Sequence, residues 1–245
     1  MFKRRFDQNV DNLTVFHWFL LTFSGGAVNA GGFIATGKFV SHVTGFATLF
    51  GVDIVNNQFQ TAFGVLSVPF FFLLGAIIAG VLIDGPIHRG ERPQFDWVMG
   101  LSALCLLVVI VVGEFSHSGE FNDSLGLRET YFLLALLCLA CGLQNGAITS
   151  SSGGSVRTTH LTGLTTDLGL GLARIFTFDL KAEKAKKEIR AICLRTGSIF
   201  SFVMGSAVGS LVFLNFGYKG FFLPAIISVY ASWHGKRVAI TSQNL

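Results

Sequence analysis

Eight apolar runs alternate with short polar stretches along this chain, near residues 15–36, 43–55, 62–83, 95–115, 130–149, 160–177, 191–214 and 217–233. A run of about 20 apolar residues is long enough to cross a bilayer as a helix. The second and sixth runs are shorter or more polar, and each carries an acid, Asp53 and Asp167. The pattern predicts an all-α membrane protein in which most runs span and those two are short, broken or re-entrant helices.

The polar stretches between runs repeat. Phe39-Val40-Ser41-His42-Val43-Thr44-Gly45 recurs as Arg157-Thr158-Thr159-His160-Leu161-Thr162-Gly163. At a constant offset, Phe39–Gly51 and Arg157–Gly169 share 5 identities in 13 positions: His42/His160, Thr44/Thr162, Gly45/Gly163, Thr48/Thr166 and Gly51/Gly169. The likeness extends outward. The first run is interrupted by Ser24-Gly25-Gly26-Ala27-Val28-Asn29-Ala30-Gly31-Gly32, the fifth by Gly142-Leu143-Gln144-Asn145-Gly146. Such glycines weaken a helix and let another backbone come close. The third and seventh runs carry small-xxx-small faces, Gly75/Ala79 and Gly205/Gly209, suited to tight helix crossing.

A duplicated half leaves two topologies. If the short runs cross, each half has four spans and the halves are parallel; if they do not, each half has three and the halves are inverted. With the N-terminus inside, the eight-span arrangement puts 11 Lys/Arg inside and 5 outside, and the six-span arrangement 13 and 3. The positive-inside rule therefore favours six spans. The expected organisation is a cytoplasmic tail at 1–14, a membrane repeat at 15–115, an extracytoplasmic loop at 116–129, a second repeat at 130–233 and a cytoplasmic tail at 234–245. Met1–Leu13 is polar, and the run after it exceeds a signal-peptide core, so it reads as a retained first span. Phe178–Ile189, with its lysines, reads either as an interfacial helix or as a solvated loop.

Composition agrees. Charged residues are 13% of the chain and hydrophobic residues 51%, against about 25% charged in a soluble domain. The net charge of +4 comes from short loops beside apolar runs, which is a topology signal and not a nucleic-acid surface. Cys105, Cys138, Cys141 and Cys193 lie in apolar runs without metal or disulfide spacing. No HExxH, GxSxG or P-loop pattern occurs, so no enzyme, metal or cofactor is expected.

The candidate chemistry lies in the repeated hexamer. Ser41 and Thr159 are expected as N-caps of helices that start beside them, leaving free N–H groups and partial positive charge at each tip. Two such tips near mid-membrane resemble the substrate sites of transporters with broken helices. His42, Thr44, Gly45, His160, Thr162 and Gly163 are the expected substrate contacts, with Asn29 and Asn145 beside them. His160 and Asp167 are seven residues apart and His42 and Asp53 eleven, so each pair shares a helix face. Asp167 and Asp53 are thus candidate proton carriers. The alternative is that the histidines only cap a re-entrant helix. Asn29, Gln144 and Asn145 equally suit interhelical hydrogen bonding. Arg157 either attracts an anion or marks the cytoplasmic boundary, and the boundary is favoured. His17, His88, His117 and His234 fall in flanks or loops and carry no role.

At these motifs the chain resembles the YoaK family, the DUF1275 group of small polytopic bacterial membrane proteins. The likeness rests on Gly26-Ala27-Val28-Asn29-Ala30-Gly31-Gly32-Phe33, on the hexamer at His42, on Gly142–Gly146 and on Gly154–Gly163. It departs at Asn29, where the family usually has Asp, and at Phe46, where Asn is usual. The resemblance implies six spans and a bacterial cytoplasmic membrane, and supplies no activity.

The expected function is secondary transport of a small polar solute, with the converging helix tips favouring an anionic one and the histidines allowing proton coupling. The expected partners are that solute and the bilayer. A channel, alone or as a homo-oligomer, and a scaffold or accessory subunit without transport are the alternatives.

Overall fold

The computed structural model describes residues 12–116, 127–154, 156–177 and 182–243, and among them the regular structure is all helix, with no strand. The first eleven residues, most of the 116–129 loop, residues 178–181 of the charged segment and the last two residues lie outside that description. Eight α-helices follow in order: α1 Asn12–Thr36, α2 Val43–Val55, α3 Phe59–His88, α4 Phe95–Ser116, α5 Leu127–Ser152, α6 Leu161–Thr177, α7 Ala182–Phe216 and α8 Phe222–Gln243. A 3-10 turn, Gly217–Phe221, joins the last two. Each of the eight apolar runs has become one helix.

Among the described residues five stretches are long and apolar enough to cross a membrane: those of α1, α3, α4 and α5, and one from Glu183 to Gly235 that takes in most of both α7 and α8. The 13-residue α2 is apolar but too short to span. The glycines of the first run do not interrupt α1. They take the place of side chains where other backbones touch it.

Helix direction follows from which residues meet. Along α1, Phe19 meets Gly197, Phe23 meets Gly205, Ala27 meets Gly209 and Gly31 meets Phe213. The numbers rise together, so α1 and α7 run parallel. In the same way Gly64 of α3 meets Tyr131 of α5, Gly75 meets Gly142, and Ala79 meets Gly146, so α3 and α5 are parallel. Trp18 donates to the Ser151 hydroxyl at 3.1 Å, while Gly32 faces Leu137, so α1 is antiparallel to α5. Ser232 donates to the Asp96 carbonyl at 2.7 Å, and Gly113 faces Tyr218, so α4 is antiparallel to α8. The α1–α7 and α3–α5 contacts exchange when the two halves of the chain are exchanged.

Two hydrophobic clusters fill the interior, one around Leu106, Leu134, Leu137 and Phe213, the other around Trp18, Met99, Leu143 and Ile148. Between them sits a buried polar knot. Gln144 donates to the hydroxyls of Ser102 and Ser228 at 3.0 Å each, and those hydroxyls donate in turn to Ala140 and Pro224 carbonyls. Gln144 therefore ties α4, α5 and α8 together. His17, which the sequence placed in a flank, is buried; it stacks on Tyr230 at a 5.5 Å ring separation and links α1 to α8.

The charged segment before the seventh run corrects an expectation. Ala182–Ile189 is the opening of α7 and not a separate interfacial helix. Glu188 accepts from Arg174 of α6 and lies 3.6 Å from Arg195, about two turns further along α7. These ion pairs fix the start of α7 against α6. At about 1.5 Å per residue, its 35 residues exceed the hydrocarbon core of about 30 Å.

The helix crossings carry a prediction. A Cβ at Gly142 or Gly205 would collide with the carbonyl of Phe72 or Phe23, whereas one at Gly80 would meet nothing within 4 Å. Gly142→Val and Gly205→Val are each expected to cost about 1–3 kcal/mol through forced separation of helices, seen as a lower melting temperature in detergent. Gly80→Ala is expected to leave it unchanged or raise it, since Ala is the better helix former.

Candidate functional site

Both short helices begin alongside the long helices rather than beyond their ends, and the same construction brings each there. α1 ends at Thr36, followed by Gly37 at φ +67°, and α5 ends at Ser152, followed by Gly153 at φ +60°. A left-handed residue just past a helix is a common stop, and glycine takes it without strain. The chain then doubles back along the helix it has left. Val40 lies against Gly32, where any side chain would collide with it, and the Val40 carbonyl accepts from the buried Cys138 thiol at 2.8 Å. In the second half the Thr158 carbonyl approaches Gly25 so closely that a Cβ there would come within 2.9 Å.

Each returning loop is held by one asparagine. Asn29 Oδ1 accepts from the Ser41 N–H at 3.4 Å and from its hydroxyl at 3.0 Å. Asn145 Oδ1 accepts from the Thr158 N–H at 3.1 Å and from its hydroxyl at 3.3 Å. Asn29 stands seven residues before the end of α1, and Asn145 seven before the end of α5. That is about 10 Å of helix rise at each side. The tips of α2 and α6 are therefore seated well inside the lengths of the long helices.

The caps differ from the expectation. Ser41 and Thr159 do not cap; the helices start one residue later, with His42 and His160 as the N-cap residues. Their carbonyls accept the first helical bonds, from Phe46 N–H and Leu164 N–H at 3.3 Å each. The Ser41 hydroxyl is already committed to Asn29, and its counterpart by role in the second half is Thr158, one residue earlier than the constant offset suggests. His42 makes no side-chain cap bond. Its imidazole lies over the first turn instead, where a Cβ at Gly45 would come within 2.6 Å of Nδ1, and His160 lies over Gly163 at the same 2.6 Å. The repeated His-x-x-Gly thus has a steric basis: the glycine leaves room for the ring. Val43, Thr44 and Gly45 N–H groups, and those of Leu161, Thr162 and Gly163, precede the first helical bond and have no partner within their helices.

The two tips face one cavity of about 350 Å³. His42 and Thr44 line it from α2, His160 and Thr162 from α6, and Asn145 and Thr149 from α5. Phe72 of α3 closes one side. So the structure gathers most of the residues singled out in the sequence. Asn29 and the two glycines stand behind the lining and position it. Thr48 and Thr166, also part of the repeat, donate to the Thr44 and Thr162 carbonyls at 3.1 and 3.0 Å and are locally satisfied.

Three residues depart from the expectation. Arg157, favoured as a boundary marker, lines the cavity, and its Nη1 is 2.8 Å from His160 Nδ1. Asp53 lies at the far end of α2, about 16 Å of helix rise from His42. Asp167 is exposed on α6, where its carbonyl accepts from Arg195 at 3.2 Å. Neither acid lines the cavity; sharing a helix face with a histidine did not bring them to it, because the helices lead away from their tips. Phe46, where the resembled family has Asn, is the buried contact of α2 with the core. Among the described residues no cluster of three or more metal-ligating side chains occurs. Thr149 and Phe72 had no signal in the sequence. Arg157 had one, because it stands opposite a phenylalanine in an otherwise matched motif.

A family model described as a protein of unknown function, DUF1275, matches residues 17–233. No curated protein and no solved structure matches the chain.

The asparagine brackets can be tested directly. Each uses only its Oδ1 as acceptor, which a carboxylate also supplies, so Asn29→Asp is expected to keep the loop in place. Asn29→Leu leaves the Ser41 N–H and hydroxyl without that acceptor, at about 1–3 kcal/mol. Hydrogen exchange of residues 37–42 should rise in Asn29→Leu and stay near the parent level in Asn29→Asp.

Proposed function

We propose, for a chain that belongs to the DUF1275 family, that it is a secondary transporter of a small polar solute, built as two inverted three-span repeats in a bacterial cytoplasmic membrane. The carrying observation is that the tips of α2 and α6, one from each half, line a single cavity. Non-helical backbone at membrane depth is tolerated where it is buried in protein or borders a wet cavity, and a solute path provides that cavity.

The helix directions support the inverted arrangement. α1 and α5, the first long helices of the two halves, are antiparallel, and α1 is parallel to α7 while α5 is parallel to α3. If α1 rises, α3 and α5 descend and α7 rises. Each returning loop with its short helix then enters and leaves on the same side, so α2 and α6 are re-entrant, and six helices cross. The surplus of Lys and Arg in the loops that would face the cytoplasm supports an orientation with both termini inside.

In this reading the histidines and threonines at the tips contact the solute and the helix dipoles orient it. The two halves rock against each other along the glycine-lined α1–α7 and α3–α5 contacts, opening the cavity to one side and then the other. The histidine, threonine, asparagine and arginine side chains set into an otherwise apolar lining favour a transported solute over a purely structural scaffold.

Purified protein in liposomes, offered a panel of small carboxylates, amino acids and polyols, is expected to show saturable uptake and counterflow for one solute class. Flux that never saturates and shows no counterflow would instead indicate a channel. A His42→Ala/His160→Ala double variant that retains its melting temperature is expected to lose at least about tenfold in uptake, and equal uptake would remove the histidines from the site.

A further inference from the structure

We propose that the cavity binds a small monoanion together with one proton, the anion held by Arg157 and the proton taken by Nδ1 of His160. The inference rests on the transporter reading for movement across the membrane, and on the cavity alone for binding.

The pair at its centre has a defined polarity. A guanidinium has donors only, so at 2.8 Å Arg157 donates and His160 Nδ1 accepts. His160 is then neutral, with its own proton on Nε2. A guanidinium is a permanent cation. Among the described residues that line the cavity there is no Asp or Glu. A fixed cation inside a membrane protein without a carboxylate partner is expensive, and a soluble anion supplies what the lining lacks.

The surroundings point the same way. The N–H groups of two helix tips face the cavity, and helix starts favour negative charge. The facing half offers no second cation, because the position matching Arg157 is Phe39. One fixed charge matches a monoanion. The volume of about 350 Å³ equals about a dozen waters at about 30 Å³ each, which admits a carboxylate of a few carbons or an inorganic oxyanion with some water.

The proton follows from the same contact. Protonation of Nδ1 removes the acceptor that holds Arg157 and sets an imidazolium beside a guanidinium. Both then direct donors at the cavity, and their repulsion is relieved when an anion enters. Linkage makes this reciprocal: the anion favours the protonated imidazole, and the protonated imidazole favours the anion. Affinity for the anion therefore rises as pH falls and weakens as pH rises. The groups facing His160 are Arg157 from its own loop, His42 from the opposite tip, Asn145 and Thr149 from α5, and Phe72 from α3. Glu188 and Arg195 of α7 are engaged further along α6, with Arg174 and the Asp167 carbonyl. One proton with one monoanion makes the transported unit electroneutral.

The test uses the full chain, in nanodiscs for binding and in liposomes for uptake, with acetate and nitrate as probes and neutral acetamide as the isosteric control. Acetate or nitrate is expected to raise the melting temperature and acetamide to leave it unchanged. The apparent Kd for the anion should be at least about tenfold tighter at pH 5.5 than at pH 8. Arg157→Phe, which copies the residue the other tip already accommodates, should weaken anion binding at least about tenfold, and Arg157→Lys should restore part of it. His160→Gln should still bind the anion while losing the pH dependence, and uptake should not respond to a valinomycin-imposed potassium potential. Failure of both anions to bind, equal stabilisation by acetamide, or unchanged affinity in Arg157→Phe overturns the proposal. Saturable uptake of a neutral solute alongside any of these results would leave the transporter reading standing. Anion binding without any uptake would do the reverse.

Discussion

Backbone that leaves the helix inside a membrane must find hydrogen-bond partners within the protein, because lipid offers none. Everything at the centre of this molecule answers that requirement. The two returning loops interrupt helical bonding well inside the long helices. Asn29 and Asn145 each meet the need with a single side-chain oxygen that accepts from both a loop N–H and a loop hydroxyl. Cys138 meets it for the Val40 carbonyl. Satisfied in this way, the loops can leave the first-turn N–H groups of α2 and α6 directed at the cavity.

The glycines make that placement sterically possible. On α1 alone, Gly26 accommodates the α7 backbone, Gly32 the first returning loop and Gly25 the second. A side chain at any of these would push apart elements that must touch. The polar interior and the small residues around it are thus parts of one design: close approach brings the acceptors within reach, and the hydrogen bonds repay the loss of helix.

Much of this was legible in the chain. Hydropathy marked the helices to within about five residues except at the end of α8, which runs ten residues past its apolar run to Gln243, and at the start of α7, where Lys184, Lys186 and Lys187 mask a helix that Glu188 anchors through Arg174 and Arg195. The repeat of His42 and His160 pointed to the cavity because duplicated polar residues in apolar surroundings have few reasons to exist. What could not be read was competition at a distance. Ser41 is a good N-cap by local preference, yet an acceptor twelve residues earlier takes its hydroxyl. Asp167 shares a helix face with His160, but a shared face does not say which way the helix leaves its tip. Arg157 looked like a boundary residue because charge counts along a chain carry no information about loops that fold inward.

One small inequality between the halves has a wider meaning. The hydrogen-bonded loop residue comes twelve positions after its asparagine in the first half and thirteen in the second, and Thr159 adds a further residue before the histidine, so the second loop is two residues longer. Two identical gates would be mirror equivalents, and a carrier made of them would rest equally open to either face of the membrane. Two additional residues break that equivalence, so in the proposed carrier the two facing states would differ in energy and the empty protein would have a preferred side on which to wait.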